Sequence, residues 1–416
     1  MRVSGRVMVL RGATLTLEPG TRVEFLAPAN PVDAGQLRLY VQEGGRLVAE
    51  GTEGAPVVFA STDAGVPWYG IELHSGHDRD VLVHCEIRDA KAGVACVGSS
   101  PRIESCTFRS NRRAVSLWRG ARPLLRAVVL EDNEEGVAVS MQSSLTLVDS
   151  VVRRSRRGGV FVERDSGAMI ATTAFAENEV ALQKRGAGPL TVSGCRLRGN
   201  RLGVRVELGG EEAVLEGNRF EDNVTAVSLV MKAFADLVGN VFRRNAVAIS
   251  IEARSGAGVQ ANDFLENGTA VLCSKTSHPQ IRRNRFVGNE RAVAVEYSSY
   301  PVIEANNFEG NRLAVALGAN QSYRWSRVVW GEAEWTRLGE AYGTDRVRAA
   351  DNYWGRETTA RMERGERSIP SIRDGSDGGG FEVDGRWYPL DRVVYEPFRR
   401  SPVRGAGAEG DRGGGS

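Results

Sequence analysis

Ile303-Glu-Ala-Asn-Asn-Phe-Glu-Gly-Asn-Arg-Leu-Ala-Val-Ala-Leu317 has two near copies upstream. They are Ile281-Arg-Arg-Asn-Arg-Phe-Val-Gly-Asn-Glu-Arg-Ala-Val-Ala-Val295 and Leu215-Glu-Gly-Asn-Arg-Phe-Glu-Asp-Asn-Val-Thr-Ala-Val-Ser-Leu229. The first polar slot of the pattern recurs at Cys85, Cys106, Val128, Ser150, Thr173, Cys195, Asn218, Asn240, Asn262, Asn284 and Asn306, with steps of 21 to 23 residues. A repeat of this length held over eleven copies is the signature of a solenoid. Apolar residues alternate in short runs, such as Val293 and Val295, which marks strands, and the intervening Asn and Gly mark turns. One such coil cannot close its own core. Stacking coils about 4.8 Å apart supplies both the hydrogen bonds and the buried face. The expected fold is therefore all-β: a right-handed parallel β-helix with about eleven regular coils.

Stacking turns like positions into columns. A phenylalanine column runs Phe220, Phe242, Phe264, Phe286, Phe308, preceded by Phe108, Leu130, Val152, Phe175 and Leu197. An inward aliphatic column runs from Val115 through Val137, Val160, Leu182, Val204 and Val227 to Val315. A third column holds Asn111, Asn133, Ser155, Asn178, Asn200, Asn223, Asn245, Asn267, Asn289 and Asn311. It is expected to form a turn ladder, because asparagine tolerates left-handed backbone and its amides bond along a stack.

The repeat resembles the parallel β-helix family that includes NosD-like periplasmic proteins, carbohydrate-binding and sugar-hydrolase domains, and pectate-lyase-like enzymes. The flanks are similar too: Gly12-Ala-Thr-Leu-Thr-Leu-Glu-Pro-Gly20 resembles the family's opening rungs and Asp351-Asn-Tyr-Trp-Gly355 its closing coil. The resemblance implies export to the periplasm or cell surface. It also implies, as alternatives, polysaccharide chemistry or accessory work in metal-enzyme maturation. This architecture carries lyases, hydrolases, adhesins and spacers, so the fold does not select among them.

Expected boundaries are 1–80 for irregular first rungs and an N-terminal cap, 81–317 for the regular repeats, 318–402 for an aromatic-rich excursion, closing coil and C-terminal cap, and 403–416 for a disordered Gly-rich tail. A short helix is expected around Gly331–Gly339 and a hairpin about Asp384-Gly385. No apolar stretch follows Met1-Arg-Val-Ser-Gly-Arg6, so no signal peptide is read there, and no run of apolar residues suits a membrane span.

The 416 residues carry 54 basic and 52 acidic side chains, a net charge of +2 that gives no reason to expect a nucleic acid partner. The arginine-rich run Arg153–Arg157 falls into columns where opposite charges alternate: Arg112, Glu134, Arg156; Arg113, Glu135, Arg157; Arg109, Glu131, Arg153. Such alternation favours the stacked register. Five cysteines exclude a fully paired disulfide framework, and their slots suit small core fillers. Four histidines without ligand spacing leave no metal site, and no cofactor is expected. The one carboxylate pair worth weighing for catalysis is Glu252 with Glu296, two coils apart in an outward column. The same column extends through Glu163 and Glu207, which reads as a solvated acidic stripe. The best surface candidate is aromatic. One period relates His278 to Tyr300 and Lys275 to Tyr297, and Tyr323 lies one residue past the next step. Lys275, His278, Tyr297, Tyr300 and Tyr323, beside Trp325, are expected to form an exposed patch. Such a patch suits a sugar ring or a protein assembly partner. The leading expectation is a non-catalytic binding or structural module, with a polysaccharide lyase or hydrolase as the alternative.

Overall fold

The computed structural model describes residues 1–27, 37–63, 65–209, 213–329, 345–366 and 368–408. The fold is an all-β, right-handed parallel β-solenoid of about 14 turns. Its contacts divide it into two compact units, Met1–Val204 and Arg205–Ser416.

In the first unit each coil contributes one strand to each of three parallel sheets. The early coils have uneven lengths: Arg2 pairs with Glu24, but Val7 pairs with Leu39 and Cys85 with Val57. From Cys85 onward the spacing settles. Phe108, Leu130, Val152, Phe175 and Leu197 then sit one above another, as do Val94, Val115, Val137, Val160 and Leu182. All of these are buried. The five cysteines of the chain are buried free thiols, and Cys85 N–H lies 3.4 Å from Cys106 Sγ. Outside, Glu131 lies between Arg109 and Arg153 and is bonded to both. Burial works against ionising Glu131, yet the two guanidiniums outweigh it and hold its carboxyl below the usual range. Arg157, rather than Arg156, reaches Glu134 at 3.4 Å and Glu135 at 3.3 Å.

The second unit repeats the plan with more regular contents. Its phenylalanines form one stack, Phe220, Phe242, Phe264, Phe286 and Phe308, with ring centroids 4.8, 5.0, 4.7 and 4.9 Å apart. Successive rings are tilted by under 10°, so the stack repeats the strand spacing. Two asparagine columns flank it: Asn218, Asn240, Asn262, Asn284, Asn306 and Asn352, and Asn223, Asn245, Asn267, Asn289 and Asn311. After the first in each column, every Oδ1 accepts from the backbone N–H and the Nδ2 of the asparagine one coil before, at 2.8–3.0 Å. The remaining Nδ2 hydrogen meets a backbone carbonyl, as from Asn267 to Phe242 at 3.0 Å.

The reason asparagine suits its slot differs from the expectation. The residue with left-handed backbone is the one just before it: Gly217 before Asn218 (φ 62°), Asp222 before Asn223 (φ 55°), Ser110 before Asn111 (φ 56°). None of the column asparagines is left-handed. The preceding residue makes the corner, and the asparagine satisfies the backbone groups that the corner would otherwise bury without partners.

The second unit closes on Asn352, which continues the first asparagine column, and on Trp354, stacked on Phe308 at 5.0 Å. Helix α1 (Arg356–Glu363) follows, then the antiparallel hairpin of Gly380–Val383 with Arg386–Pro389. The helix expected around 331–339 lies outside the described residues, as does the tail from 409. Residues 403–408, expected to be disordered, are instead bonded to the coils, Val403 N–H to Asn307 Oδ1 at 2.7 Å and Gly407 N–H to Arg283 O at 2.9 Å, because the ends of the stack offer unpaired polar groups. Asp391, after the hairpin, pins this segment to the repeat. Its carboxylate accepts from the Tyr300 hydroxyl and Gln321 Nε2, each at 3.0 Å, and from Tyr323 N–H at 2.7 Å. Tyr300 is thus 6% exposed, not part of an open platform. The closing segment covers it, because a phenol one coil from the end of the stack supplies the donor that a buried carboxylate requires.

Two outcomes follow for stability. Phe264→Ala should cost about 3–5 kcal/mol in denaturant unfolding, because it opens a cavity within a continuous stack. Arg201→Ala, removing an exposed pair with Glu179, should cost under about 1 kcal/mol. Equal costs would mean that inside and outside are inverted. The second concerns pH. Burial pushes the Asp391 carboxyl up to about 6, against the pull of Tyr323 N–H, Tyr300 and Gln321 and helped by Asp345. A folded pKa above the unfolded value means that this contribution is full below about pH 4 and is lost as pH rises through about 6, a swing of about 3 kcal/mol. Other carboxylates, such as Glu131 with its depressed pKa, act in the opposite sense. Melting curves of Asp391→Asn minus those of the parent should isolate that swing; parallel curves would refute it.

Candidate functional site

The turns that follow the valine-rich strands of the second unit use two successive left-handed residues. They are Met231 and Lys232, Ala253 and Arg254, Lys275 and Thr276, Tyr297 and Ser298, all with φ between 50 and 63°. Such backbone is costly for residues with a side chain, on the order of 1 kcal/mol each. It is held by bonds between coils: Lys232 N–H to Ala253 O at 3.0 Å, Arg254 N–H to Lys275 O at 3.1 Å, and Thr276 N–H to Tyr297 O at 3.0 Å. The geometry projects the first side chain of each pair outward, one coil above the last. Met231 and Tyr297 are accordingly 53 and 37% exposed, and Leu208, a single left-handed residue one coil earlier, is 38% exposed.

These side chains line a groove of about 470 Å³, with Leu208, Met231, Ala253, Lys275, Thr276 and Tyr297 along it, Lys232 and Arg254 beside them, and Trp325. Trp325 comes from the helical turn 323–329, whose other contacts hold it there. Its ring meets Phe381 of the hairpin edge-on at 6.0 Å, and the Ser326 hydroxyl bonds that of Ser298. The groove is mainly apolar and fringed by cations, and none of its lining residues among the described ones is a carboxylate.

Of the six residues expected to form the patch, the structure brings Lys275, Tyr297 and Trp325 together. His278 is exposed but stands at another corner, its ring edge-on to Phe234 at 6.4 Å. Tyr300 is buried under Asp391, and Tyr323 is half-buried, its ring beneath the Arg327 guanidinium at 5.9 Å. Met231, Leu208 and Ala253 lie outside that expected set, being neither aromatic nor charged. Stepping back by one period from Tyr297 through Lys275 reaches Ala253 and Met231, and one more step reaches Leu208, so the signal was present.

Glu252 and Glu296 share a column as expected, their N–H groups bonded to Leu229 O and Cys273 O. Glu252 takes Lys275 Nζ at 2.7 Å and the Ser250 hydroxyl at 2.9 Å. Its burial favours the neutral acid, but those two bonds outweigh it and hold the carboxyl below its usual range. Lys275 is correspondingly pushed up by Glu252. A general acid working at neutral pH needs the opposite shift. Among the described residues no group of three or more His, Cys, Asp or Glu side chains is placed to hold a metal ion.

Residues 180–324 match the family described as right handed beta helix region, and residues 57–236 match the one described as periplasmic copper-binding protein (NosD). No curated protein matches the chain in sequence. Among solved structures, the A-module of a mannuronan C-5 epimerase from Azotobacter vinelandii is similar at 15% identity and a TM-score of 0.42, over 74% of this chain and 87% of its own. A mannuronic acid specific polysaccharide family 6 lyase from human gut microbiota is similar at 10% identity and 0.34, over 81 and 82%. A pectate lyase is similar at 11% and 0.23, over 75 and 78%. Likeness at that level says nothing of activity. The stacked coils, the in-register columns and both family matches agree: the chain is a right-handed parallel β-helix repeat protein.

Proposed function

We propose that this protein is a non-catalytic binding module that engages a polysaccharide or a protein assembly partner through the groove of the second unit. The observation that carries the reading is the convergence of Tyr297, Trp325, Met231 and Leu208 in an open groove whose described lining holds no carboxylate. Aromatic and thioether side chains offer flat, polarizable surface to a sugar ring or an apolar side chain. Proton transfer, which glycosidic bond cleavage requires, finds no acid of raised pKa there. Glu252, the nearest alternative, is tied to Lys275.

The family description over residues 57–236 suggests copper and the periplasm. The residues do not fit a copper site: beyond the lack of a donor cluster among the described residues, burial pushes the Cys96, Cys195 and Cys273 thiols up, Cys195 to about 11. A thiol must lose its proton to serve as a ligand. Placement outside the cytoplasm is part of the proposal, and it rests on the family description. No helix among the described residues is long and apolar enough to cross a membrane.

A glycan array and a peptide-display library, each probed with the whole chain, should yield a ligand that is bound and released unchanged. Tyr297→Ala and Trp325→Ala should each weaken that ligand about thirtyfold, as loss of an aromatic anchor does, with the melting temperature of Tyr297→Ala unmoved. Product formation from acidic polysaccharides would favour the lyase or hydrolase reading. Binding indifferent to both substitutions would reject the groove.

A further inference from the structure

Opposite charges alternate along many outer columns of the first unit, and where Arg88 meets Arg109 each arginine has its own carboxylate, Glu86 and Glu131. A second like-charged step involves Lys91. Trp68 pairs with Ala90 and Gly70 with Ala92, so Lys91 lies above Tyr69. Ala92 pairs in turn with Arg113, and Arg112 N–H bonds Ala90 O at 2.9 Å, so Arg112 lies directly above Lys91. Two cations on adjacent strands repel, and a carboxylate in either position would relieve them. A recess of about 320 Å³ opens at this point. Lys91, Arg112, Arg113 and Arg157 line it together with one carboxylate, Glu135, and Tyr69 and Trp118 are its aromatic walls. Glu134 and Glu135 are the carboxylates bonded to the three arginines, with Arg113 to Glu135 the closest at 2.6 Å. Four cations set against two carboxylates leave two positive charges over. Ser116 lies in the floor of the same recess, wholly buried, and its hydroxyl has no partner among the described residues.

We propose that this recess binds a doubly charged oxyanion, a phosphate or sulfate group borne on a sugar or similar ring. Guanidinium forks match tetrahedral oxyanions, and a lysine adds a point charge. The surplus of positive charge favours a doubly charged group over a singly charged one. The Arg38 guanidinium covers one face of the Tyr69 ring at 4.3 Å, which steadies that wall for the ring carrying the group. The like-charged step costs the free protein some stability, and a bound oxyanion relieves that repulsion. The site lies in the first unit and does not depend on the groove of the second.

The test is calorimetric titration of the whole chain with inorganic phosphate and sulfate at about pH 8, where phosphate carries two charges, with acetate and chloride at matched ionic strength as controls. Saturable binding of phosphate or sulfate, tighter than acetate, is expected. Lys91→Glu restores the alternation: the free variant should melt higher than the parent, while its affinity falls by about tenfold or more. Arg201→Gln, which removes a partner of Glu179 away from the recess, should keep the parental affinity. Comparing glucose 1-phosphate with a sulfated disaccharide then assigns the source, and tighter binding of either supports the site. No saturable binding, equal binding of acetate, or parental affinity in Lys91→Glu would overturn it, as would a Lys91→Glu variant that melts lower than the parent.

Discussion

The bond from one asparagine to the next is the constraint on which the rest of this structure depends. A coil of about 22 residues must turn three corners, and each corner buries backbone groups beyond the reach of a sheet ladder. At two corners of the second unit the side-chain amide one coil further on supplies the missing partner, and at the third a serine hydroxyl does so, as from Ala233 N–H to Ser255 Oγ at 3.1 Å. Asn267 shows the complete set: its Oδ1 receives Asn245 N–H and Nδ2, and its own Nδ2 reaches Asn289 Oδ1 and Phe242 O. All of its hydrogen-bonding capacity is used inside the protein. A slip of one residue between coils would break all of these bonds at once and turn the phenylalanine stack outward. Register is therefore set by polar groups, while the apolar stack supplies most of the burial.

Fixing the corners frees the outside. The residues with left-handed backbone carry their side chains into solvent at constant spacing, so their identity is not dictated by the core. In the second unit those positions hold Met231, Ala253, Lys275 and Tyr297, and they become a groove. In the first unit the outer sheet face is mostly neutralised by pairs such as Arg113 with Glu135. Lys91 beside Arg112 departs from that rule. Departures from a locally consistent pattern are where function is to be sought in a repeat protein.

The fold was legible because a 22-residue period leaves each inward column to be read directly, and the Phe220 to Phe308 column stacks as its spacing implied. The hairpin about Asp384-Gly385 was legible from its turn residues. The site was legible only in part. Periodicity placed Lys275 and Tyr297 side by side, but it does not say what covers a position from outside the repeat. Tyr300 obeys the same period and is buried, because Asp391, 91 residues later, folds back over it. Trp325 falls beside Tyr297 for a similar reason, through contacts with Phe381 that no period encodes. The left-handed residue was misplaced by one position, since turn preference and hydrogen-bonding capacity both favour asparagine in a sequence, and only the backbone separates them.

Native-state hydrogen exchange in the parent and in Asn267→Ala tests most directly whether each coil depends on the amide of the next. In the parent, Asn245 N–H donates to Asn267 Oδ1 at 2.9 Å, and Val247 N–H donates to Val224 O, a bond that the substitution leaves intact. The expected result is that exchange at Asn245 accelerates by about a hundredfold, the worth of one buried hydrogen bond to its unsatisfied donor. Val247, two residues away, should change far less. Protection at Asn245 that is unaltered by removing Asn267, or lost equally along the whole second unit, would contradict the account.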